Sequence, residues 1–582
     1  MLSLFAIVLA FVLILASIGK YGKRINAIHI LFGLCFVLSV TLALPAYFTA
    51  NGTDALGILK SIVVAFQKAI RVFAADGIYA PIVENISAAP VWIAKPYLVI
   101  TYVTQFIAPL LAVSFVLSFF KNVSAYVRYL MSWRREIYVF SRVNERSLAL
   151  AKDVLADDPM VRIVFTVTSD GVAQVSEELM GEARALGAIC FKKDITEIKF
   201  GLHSKKKRIL FFTMSGDDIV NVNDSLKLIS IYNNRAHTRL YIFSKGTESE
   251  LLLAGKSAGK MKIHRIDEVR SLVTRILYEK GDRVFARATP VSETLKHISA
   301  VVVGMGGHGT EMVKALSWYG QMDGYLLNIT AFDRDKAAAD KFEAQAPGLI
   351  KNNYGIEVKS DVDVDTKKFA DEISKLTDAT YVFVSLGSDE KNVATAVMLR
   401  MLFERMNIKP IIQTVVYNSN ARELLSNARK SKAQSYDIEF VGDINSLYSK
   451  DVIIASALEK DAFARHVAYC YGDKEKEDDF WKYEYCYRSS IATAVHAKAR
   501  ISCNIPGAGK SEDEMTDYER ETLGALEHRR WEAYMRADGY VYSGSPERSS
   551  RNDLGKMHNN LTDELTDDDK AKDYRVSAES KK

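Results

Sequence analysis

Two uncharged runs near the N terminus constrain this chain more than any other feature. Met1 to Gly19 carries no charged side chain, and Ile25 to Ala50 carries none either. Each is long enough for a helix to cross about 30 Å of hydrocarbon at about 1.5 Å per residue. A third span is expected within Val91 to Phe120, from Tyr97 onward (97–120), with Lys95 reaching back to the interface. The first run has no basic n-region and no small-x-small cleavage site, so it reads as a retained span over 1–19. Lys20, Lys23 and Arg24 fall between spans one and two, and Lys121, Arg128, Arg134 and Arg135 follow span three. The positive-inside rule then places the N terminus outside a multi-pass cell-membrane protein and everything after Lys121 in the cytoplasm. Residues 1–135 form the membrane domain.

Between spans two and three, Leu56, Leu59, Ile62, Val63, Phe66, Ile70 and Phe73 recur at helical spacing, with Lys60, Gln67, Lys68 and Arg71 flanking or opposite them. The pattern predicts an amphipathic, cationic helix over 55–75. Two readings stay open: a helix lying on the outer leaflet, or a pore helix dipping between two spans. The span, short helix, span order resembles a potassium-channel pore module, yet Ala75-Asp76-Gly77-Ile78-Tyr79 stands where a TVGYG carbonyl filter belongs. A potassium-selective filter is therefore not expected. If a pore exists, the cations at Lys60, Lys68 and Arg71 favour anions or a nonselective path.

A chain of 582 residues exceeds one core and must be multidomain. A formal charge of +5 is small for that length and gives no nucleic-acid footprint. The five cysteines, Cys35, Cys190, Cys470, Cys486 and Cys503, include no CxxC pair, which speaks against zinc and against a disulfide framework.

From Ile137 to about Leu277, and again from Ile298 to about Ile454, short apolar strands alternate with helical patterns, the signature of βα units around a parallel sheet. The two stretches align: IYVFSRVNERS at Ile137 with AVVVGMGGHGT at Ala300, ILFFTMSGDDIVNV at Ile209 with TYVFVSLGSDEKNV at Thr380, and RLYIFSKG at Arg239 with KPIIQTVV at Lys409. This places Gly216 on Gly387 and Asn221 on Asn392, and it reads as a tandem duplication, with lobes at 136–295 and 296–470. In the second copy Gly304, Gly306 and Gly309 make GxGxxG between a strand and a helix. Asp333 ends the next strand. Gly304 permits the turn, Gly306 lets the backbone approach a pyrophosphate at the helix N terminus, Gly309 allows close helix packing, and Asp333 accepts from ribose hydroxyls. Gly304, Gly306, Gly307, Gly309 and Asp333 are thus the candidate cofactor-binding residues for NAD or another nucleotide. The first copy has Ser141, Val143 and Arg146 in place of the three glycines, whose side chains would obstruct a diphosphate. The pair resembles the nucleotide-binding regulator-of-potassium-conductance family, which implies two Rossmann-like lobes beneath a membrane pore and assembly as a homo-oligomer.

The remainder, 471–582, is expected to be a small, mainly α domain with a helical lead-in. Leu523, Leu526, Trp531, Tyr534 and Met535 predict a helix to Ala537, stopped at Gly539. His528 with Trp531, Gly539-Tyr540-Val541-Tyr542, Lys556-Met557-His558 and the acidic run from Leu565 to Lys570 resemble the ryanodine receptor repeat domain, with Asp573 and Arg575 closing the match. Tyr540, Ser543 and Asn559 depart from its pattern. The resemblance implies sensing of a nucleotide-derived ligand, and the residue chemistry allows it, with Trp531 and Tyr540 stacking a base and Arg530, Lys556 and His558 meeting a phosphate; core packing is the alternative role for Trp531.

No HExxH or GxSxG is present, and Gly507-Ala508-Gly509-Lys510-Ser511 lacks the first glycine of a P-loop, where Asn504 stands. No catalytic set and no second ligand pair beside His466 and Cys470 is evident, so neither an enzyme nor a metal centre is expected. The expectation is a ligand-regulated membrane protein, an ion channel or membrane effector of bacterial conflict signalling. A nonconducting nucleotide sensor or scaffold and an NAD-dependent oxidoreductase are the alternatives.

Overall fold

The computed structural model describes residues 27–579 apart from 53, 77–79, 120, 131–135, 168–175, 202–207, 247–258, 419, 424, 426–436, 455, 545–554 and 563–564. The expected span at 1–19, the basic residues Lys20, Lys23, Arg24, Arg134 and Arg135, and Gly77 to Tyr79 lie outside them. The chain divides into two compact units at Trp133 and Arg134.

In the first unit two helices are long and apolar enough to cross a membrane, over Leu31–Asn51 and Val91–Phe115. The helix carrying the latter begins at Val91, earlier than the expected Tyr97, because Pro96 sits within its first two turns rather than ending one. The expected amphipathic helix is present as Ala55–Phe73.

The second unit is built on two parallel sheets. The first holds β1 (Ile137–Phe140), β2 (Arg162–Thr166), β3 (Ile189–Phe191), β4 (Ile209–Thr213), β5 (Thr238–Phe243) and β6 (Lys262–Ile266) in the order β3-β2-β1-β4-β5-β6. The second holds β7 (Thr289–Pro290), β8 (Lys296–Val303), β9 (Tyr325–Phe332), β10 (Ile356–Lys359), β11 (Tyr381–Val384), β12 (Ile411–Val415) and β13 (Ile438–Val441). Its order, β10-β9-β8-β11-β12-β13, repeats that of the first, and β7 is added antiparallel to β8. This is the 3-2-1-4-5-6 order of doubly wound α/β folds, in which helices cover both faces. Accordingly the central strands are buried on both faces: every residue of β1, β4 and β11 is buried.

One side chain ties each sheet together in the same way. Asn221 accepts from the Ser215 N–H at 2.6 Å and donates to the Phe243 carbonyl at 2.7 Å. Asn392, its aligned counterpart, accepts from the Leu386 N–H at 2.5 Å and donates to the Val415 carbonyl at 2.9 Å. In both lobes this amide closes the turn after the fourth strand of the repeat against the end of the fifth.

The core beneath the second sheet does not end at that lobe. Leu272 and Ile276 from helix Glu268–Lys280, which follows β6, pack with Met312 and Leu316 of helix Gly307–Tyr319 and with Leu523, Leu526 and Ala533 of helix Asp517–Ala537. Helix Asp517–Ala537 starts in a reciprocal capping box between Thr516 and Glu519, and Gly539 follows it at φ +90°, as expected of its stop. The C-terminal segment therefore shares the lobe's apolar core.

Candidate functional site

The glycine turn follows directly from the end of β8, whose last six residues are buried. Gly304 sits at φ +93°, and a Cβ there would meet the Ser385 carbonyl oxygen at 2.2 Å. At Gly309 a Cβ would meet the Gly304 carbonyl oxygen at 1.6 Å. Packing alone demands both glycines. Gly306 differs: it is exposed, caps helix Gly307–Tyr319 in extended geometry, and a Cβ on it meets nothing within 4 Å. Gly307 is also exposed and would gain only an ordinary contact with Val269 at 3.5 Å. The turn thus presents bare main chain and the first N–H groups of a 13-residue helix to open space.

Asp333 follows β9 beside this turn, where the sequence places it. Its oxygens already accept backbone N–H groups, Oδ2 from Met305 at 2.6 Å and Oδ1 from Asp335 at 2.7 Å. The carboxylate therefore fixes the turn's shape, a role the sequence spacing did not reveal. His308 Nε2 lies 2.9 Å from the Tyr417 hydroxyl, and burial, assisted by Lys245, holds its pKa down at about 4. It is a neutral ring near pH 7.

The matching turn of the first lobe is filled by its own side chains. Ser141 Oγ accepts from the Met214 N–H at 3.0 Å, Asn144 donates to the Met214 carbonyl at 2.6 Å, and Val143 is buried in the core. Arg146, at the third glycine position, pairs with Glu268 at 2.8 Å, and Glu268 also accepts from the Tyr448 hydroxyl.

Of the five C-terminal candidates, three line one cavity and two do not. Arg530, Trp531 and His558 face a space of about 180 Å³, together with Tyr469, Tyr485 and Asp573. Trp531 meets the His558 ring edge-on at 5.0 Å and lies nearly parallel to His528 at 5.8 Å. Arg530 is 1% exposed; its Nη2 donates to Glu527 at 2.8 Å and to Thr493 at 3.2 Å, while Nε and Nη1 have no hydrogen-bond partner among the described residues. Tyr540 corrects the expectation of a stacking base: its ring is only 2% exposed because it belongs to the shared core. Lys556 caps that ring at 4.7 Å and pairs with Asp538 at 3.1 Å, so its charge is directed away from the cavity.

Sequence reasoning missed the buried charge beside this cavity. Glu527 pairs with both Arg500 and Arg530, and Arg500 Nε donates to His496 Nδ1 at 2.9 Å. Burial opposes ionisation of Glu527, but Arg530 and Arg500 together hold its carboxyl down at about 2. His528 faces the Thr562 carbonyl at 3.1 Å and Asp573 at 3.4 Å; burial opposes its charge, yet Asp573 raises its pKa above the ordinary value. Among the described residues no cluster of three or more His, Cys, Asp or Glu forms a metal site.

What the fold and the turn define is a pair of doubly wound α/β lobes, one of which keeps an open glycine turn. Comparison with protein-family models and with curated proteins finds no match. Among solved structures, a dipicolinate synthase component from Bacillus halodurans is similar at 11% identity, over 56% of this chain and 97% of that one, with a TM-score of 0.21.

Proposed function

We propose that this chain is a ligand-regulated membrane protein, in which a nucleotide-type ligand bound at the glycine turn of the second lobe controls the membrane helices. The observation that carries the reading is Gly306: neither backbone conformation nor packing requires a glycine there, whereas close approach of a phosphate to the main chain does. The resemblance to regulators of potassium conductance supports the same output, a conduit or membrane effector working as an oligomer and biased through the chain at 121–135. Tenfold preference of the ligand for one state supplies about 1.4 kcal/mol, so several protomers acting together strengthen the switch.

A second reading rests on its own observation: Arg530, buried with two undirected donors, at the wall of the cavity that Trp531 and His558 line. There the ryanodine receptor repeat-like segment holds the ligand, a planar base against Trp531 with an acceptor toward Arg530. Thermal-shift measurements on the full chain in detergent, with NAD, ATP and cyclic nucleotides, separate the two. A shift lost in Gly306→Val but kept in Trp531→Ala assigns the ligand to the lobe, and the reverse assigns it to the C-terminal cavity. Ligand binding without current in planar bilayers favours a nonconducting sensor, and hydride transfer with NAD revives the oxidoreductase.

A further inference from the structure

Helix Ala55–Phe73 has three faces, and the structure uses them in an order that periodicity does not reveal. Gly57, Ser61, Ala65 and Ala69, each one turn apart, are its buried residues and pack on helix Ala27–Asn51. The large apolar residues Leu56, Leu59, Val63, Phe66 and Ile70 face outward at 74%, 59%, 48%, 50% and 53% exposure. Lys60, Gln67, Lys68 and Arg71 form a third arc between these two.

The contacts with helix Ala27–Asn51 run the full length in antiparallel register. A Cβ at Gly57 would meet the Asn51 carbonyl at 2.5 Å, and Ser61 Oγ donates to the Tyr47 carbonyl at 2.8 Å. Farther along, Phe66 packs on Phe36 at 5.0 Å, and Phe73 packs on Phe32 at 4.7 Å. A helix lying on the membrane surface would meet a spanning helix at one level only. This one descends beside it from Asn51 to Phe32, about 28 Å for its 19 residues. The chain then returns: helix Ala80–Ser87 brings Asn85 to Thr49, and helix Val91–Phe119 descends in turn, with Tyr97 on the Leu42 carbonyl at 2.5 Å and Phe115 on Phe32 at 4.3 Å.

At the level of Ser39, Lys68 lines a small cavity of about 20 Å³ in which the polar side chains of Ser39, Thr101, Thr104 and Gln105 are set among the apolar Leu42, Ala43, Val72 and Ile82. The three hydroxyl protons are directed to their own helices: Ser39 donates to Cys35, Thr101 to Tyr97 and Thr104 to Ile100. Their free oxygen lone pairs and the buried, unpaired Gln105 Oε1 suit a resident ammonium. Charged groups at such depth face protein or water, and they mark ion paths.

We propose that helices Ala55–Phe73 and Ala80–Ser87 are the two arms of a re-entrant hairpin in the bilayer, with the large apolar face of helix Ala55–Phe73 against acyl chains. Lys68, with Lys60 and Arg71 on the same arc, is then the fixed positive charge that makes the conduit select small anions. The hairpin stands by itself; the selectivity rests on the conduit reading above.

The test uses the full chain in liposomes, with its five cysteines replaced and spin labels placed singly at Leu56, Leu59, Val63, Phe66 and Ile70. Oxygen and nickel-chelate accessibility should report increasing depth from Leu56 to a maximum near Phe66; equal shallow depth at all five positions overturns the hairpin. In a tenfold potassium chloride gradient the current recorded with NAD, ATP and cyclic nucleotides present should reverse near the chloride equilibrium potential and move toward that of potassium in Lys68→Glu. Reversal near the potassium potential in the unaltered chain, or no displacement in Lys68→Glu, overturns the selectivity. Absence of any current removes the conduit reading and the selectivity with it, while the depth profile still decides the hairpin.

Discussion

Alanine at Gly306 and alanine at Gly309 should have opposite outcomes, one set by the proposed ligand site and the other by packing. Gly306 has φ −65° and ψ −166°, extended backbone that any residue adopts, and an added methyl contacts nothing within 4 Å. Removing a glycine at such a position gains about 0.4–1 kcal/mol by restricting the unfolded chain, and losing a favourable N-cap residue costs a similar amount. Gly306→Ala should therefore leave stability within about 0.5 kcal/mol of the parent. In Gly309→Ala the Cβ would lie 1.6 Å from the Gly304 carbonyl, so strand end and helix must separate, at roughly 3 kcal/mol or more. Ligand at about a hundred times its dissociation constant stabilises the parent by about 2.7 kcal/mol, and a hundredfold weaker site leaves only about 0.4 kcal/mol. Thermal denaturation of the full chain with and without ligand reads both quantities. Gly306→Ala should melt like the parent yet lose most of its ligand shift. An undiminished shift refutes the site, and a fall of more than about 1 kcal/mol without ligand shows that Gly306 is a packing glycine after all.

Three further outcomes concern buried charge. Glu527→Gln strands Arg500 and Arg530, both 1% exposed, and should destabilise the protein by about 3–5 kcal/mol in chemical denaturation. Because the folded carboxyl titrates at about 2, below its unfolded value, its contribution is present at neutral pH and lost only as pH falls toward 2. Asp224, 5% exposed with Oδ2 unpaired, has its pKa raised to about 6 by burial. Its raised folded pKa favours folding below the unfolded value and loses that advantage as pH rises through 6, so Asp224→Asn should gain about 1–2 kcal/mol at pH 8 and little at pH 4. His528, raised above its ordinary pKa against the pull of burial by Asp573, contributes stability below the unfolded value near 6.5 that is lost as pH rises through the folded one; His528→Gln should remove that slope from the melting profile above about pH 6.5.

The parts of this fold that are legible in the sequence are those whose determinants are local. Val301 to Val303 needs burial on both faces, Gly304 needs positive φ, and Asp333 directly follows the adjacent strand, so a window of some thirty residues fixes strand, turn, helix and acid together. The repeat was legible as well, and Asn221 and Asn392 give it a physical reason. Two things resisted reading. Periodicity identifies an apolar face on helix Ala55–Phe73, but the small residues Gly57, Ser61, Ala65 and Ala69 meet helix Ala27–Asn51 while the large apolar ones face outward, the reverse of a soluble helix. In the C-terminal segment, His528 and Trp531 share a cavity while Tyr540 lies in a core contributed largely by the preceding lobe; such long-range packing leaves no trace in local spacing.

The same packing links the two candidate pockets through one side chain. Arg270, on the helix after β6, places Nε 3.0 Å from Glu311 on the glycine-turn helix and Nη2 3.3 Å from Asp538 at the end of helix Asp517–Ala537. Asp538 also holds Lys556, which adjoins Met557–His558, the strand that sets His558 against Trp531. A ligand that shifts either helix must strain or relax this bridge, and by linkage the effect on affinity is the same in both directions. Arg270→Met keeps an unbranched apolar stem and removes the guanidinium that makes the bridge. If ligands occupy both pockets, each should alter the other's dissociation constant by one common factor in the parent, and that factor should approach one in Arg270→Met while the individual affinities persist. Coupling that survives the substitution would place the connection in the apolar contacts between helices Gly307–Tyr319 and Asp517–Ala537 and remove Arg270 from the route.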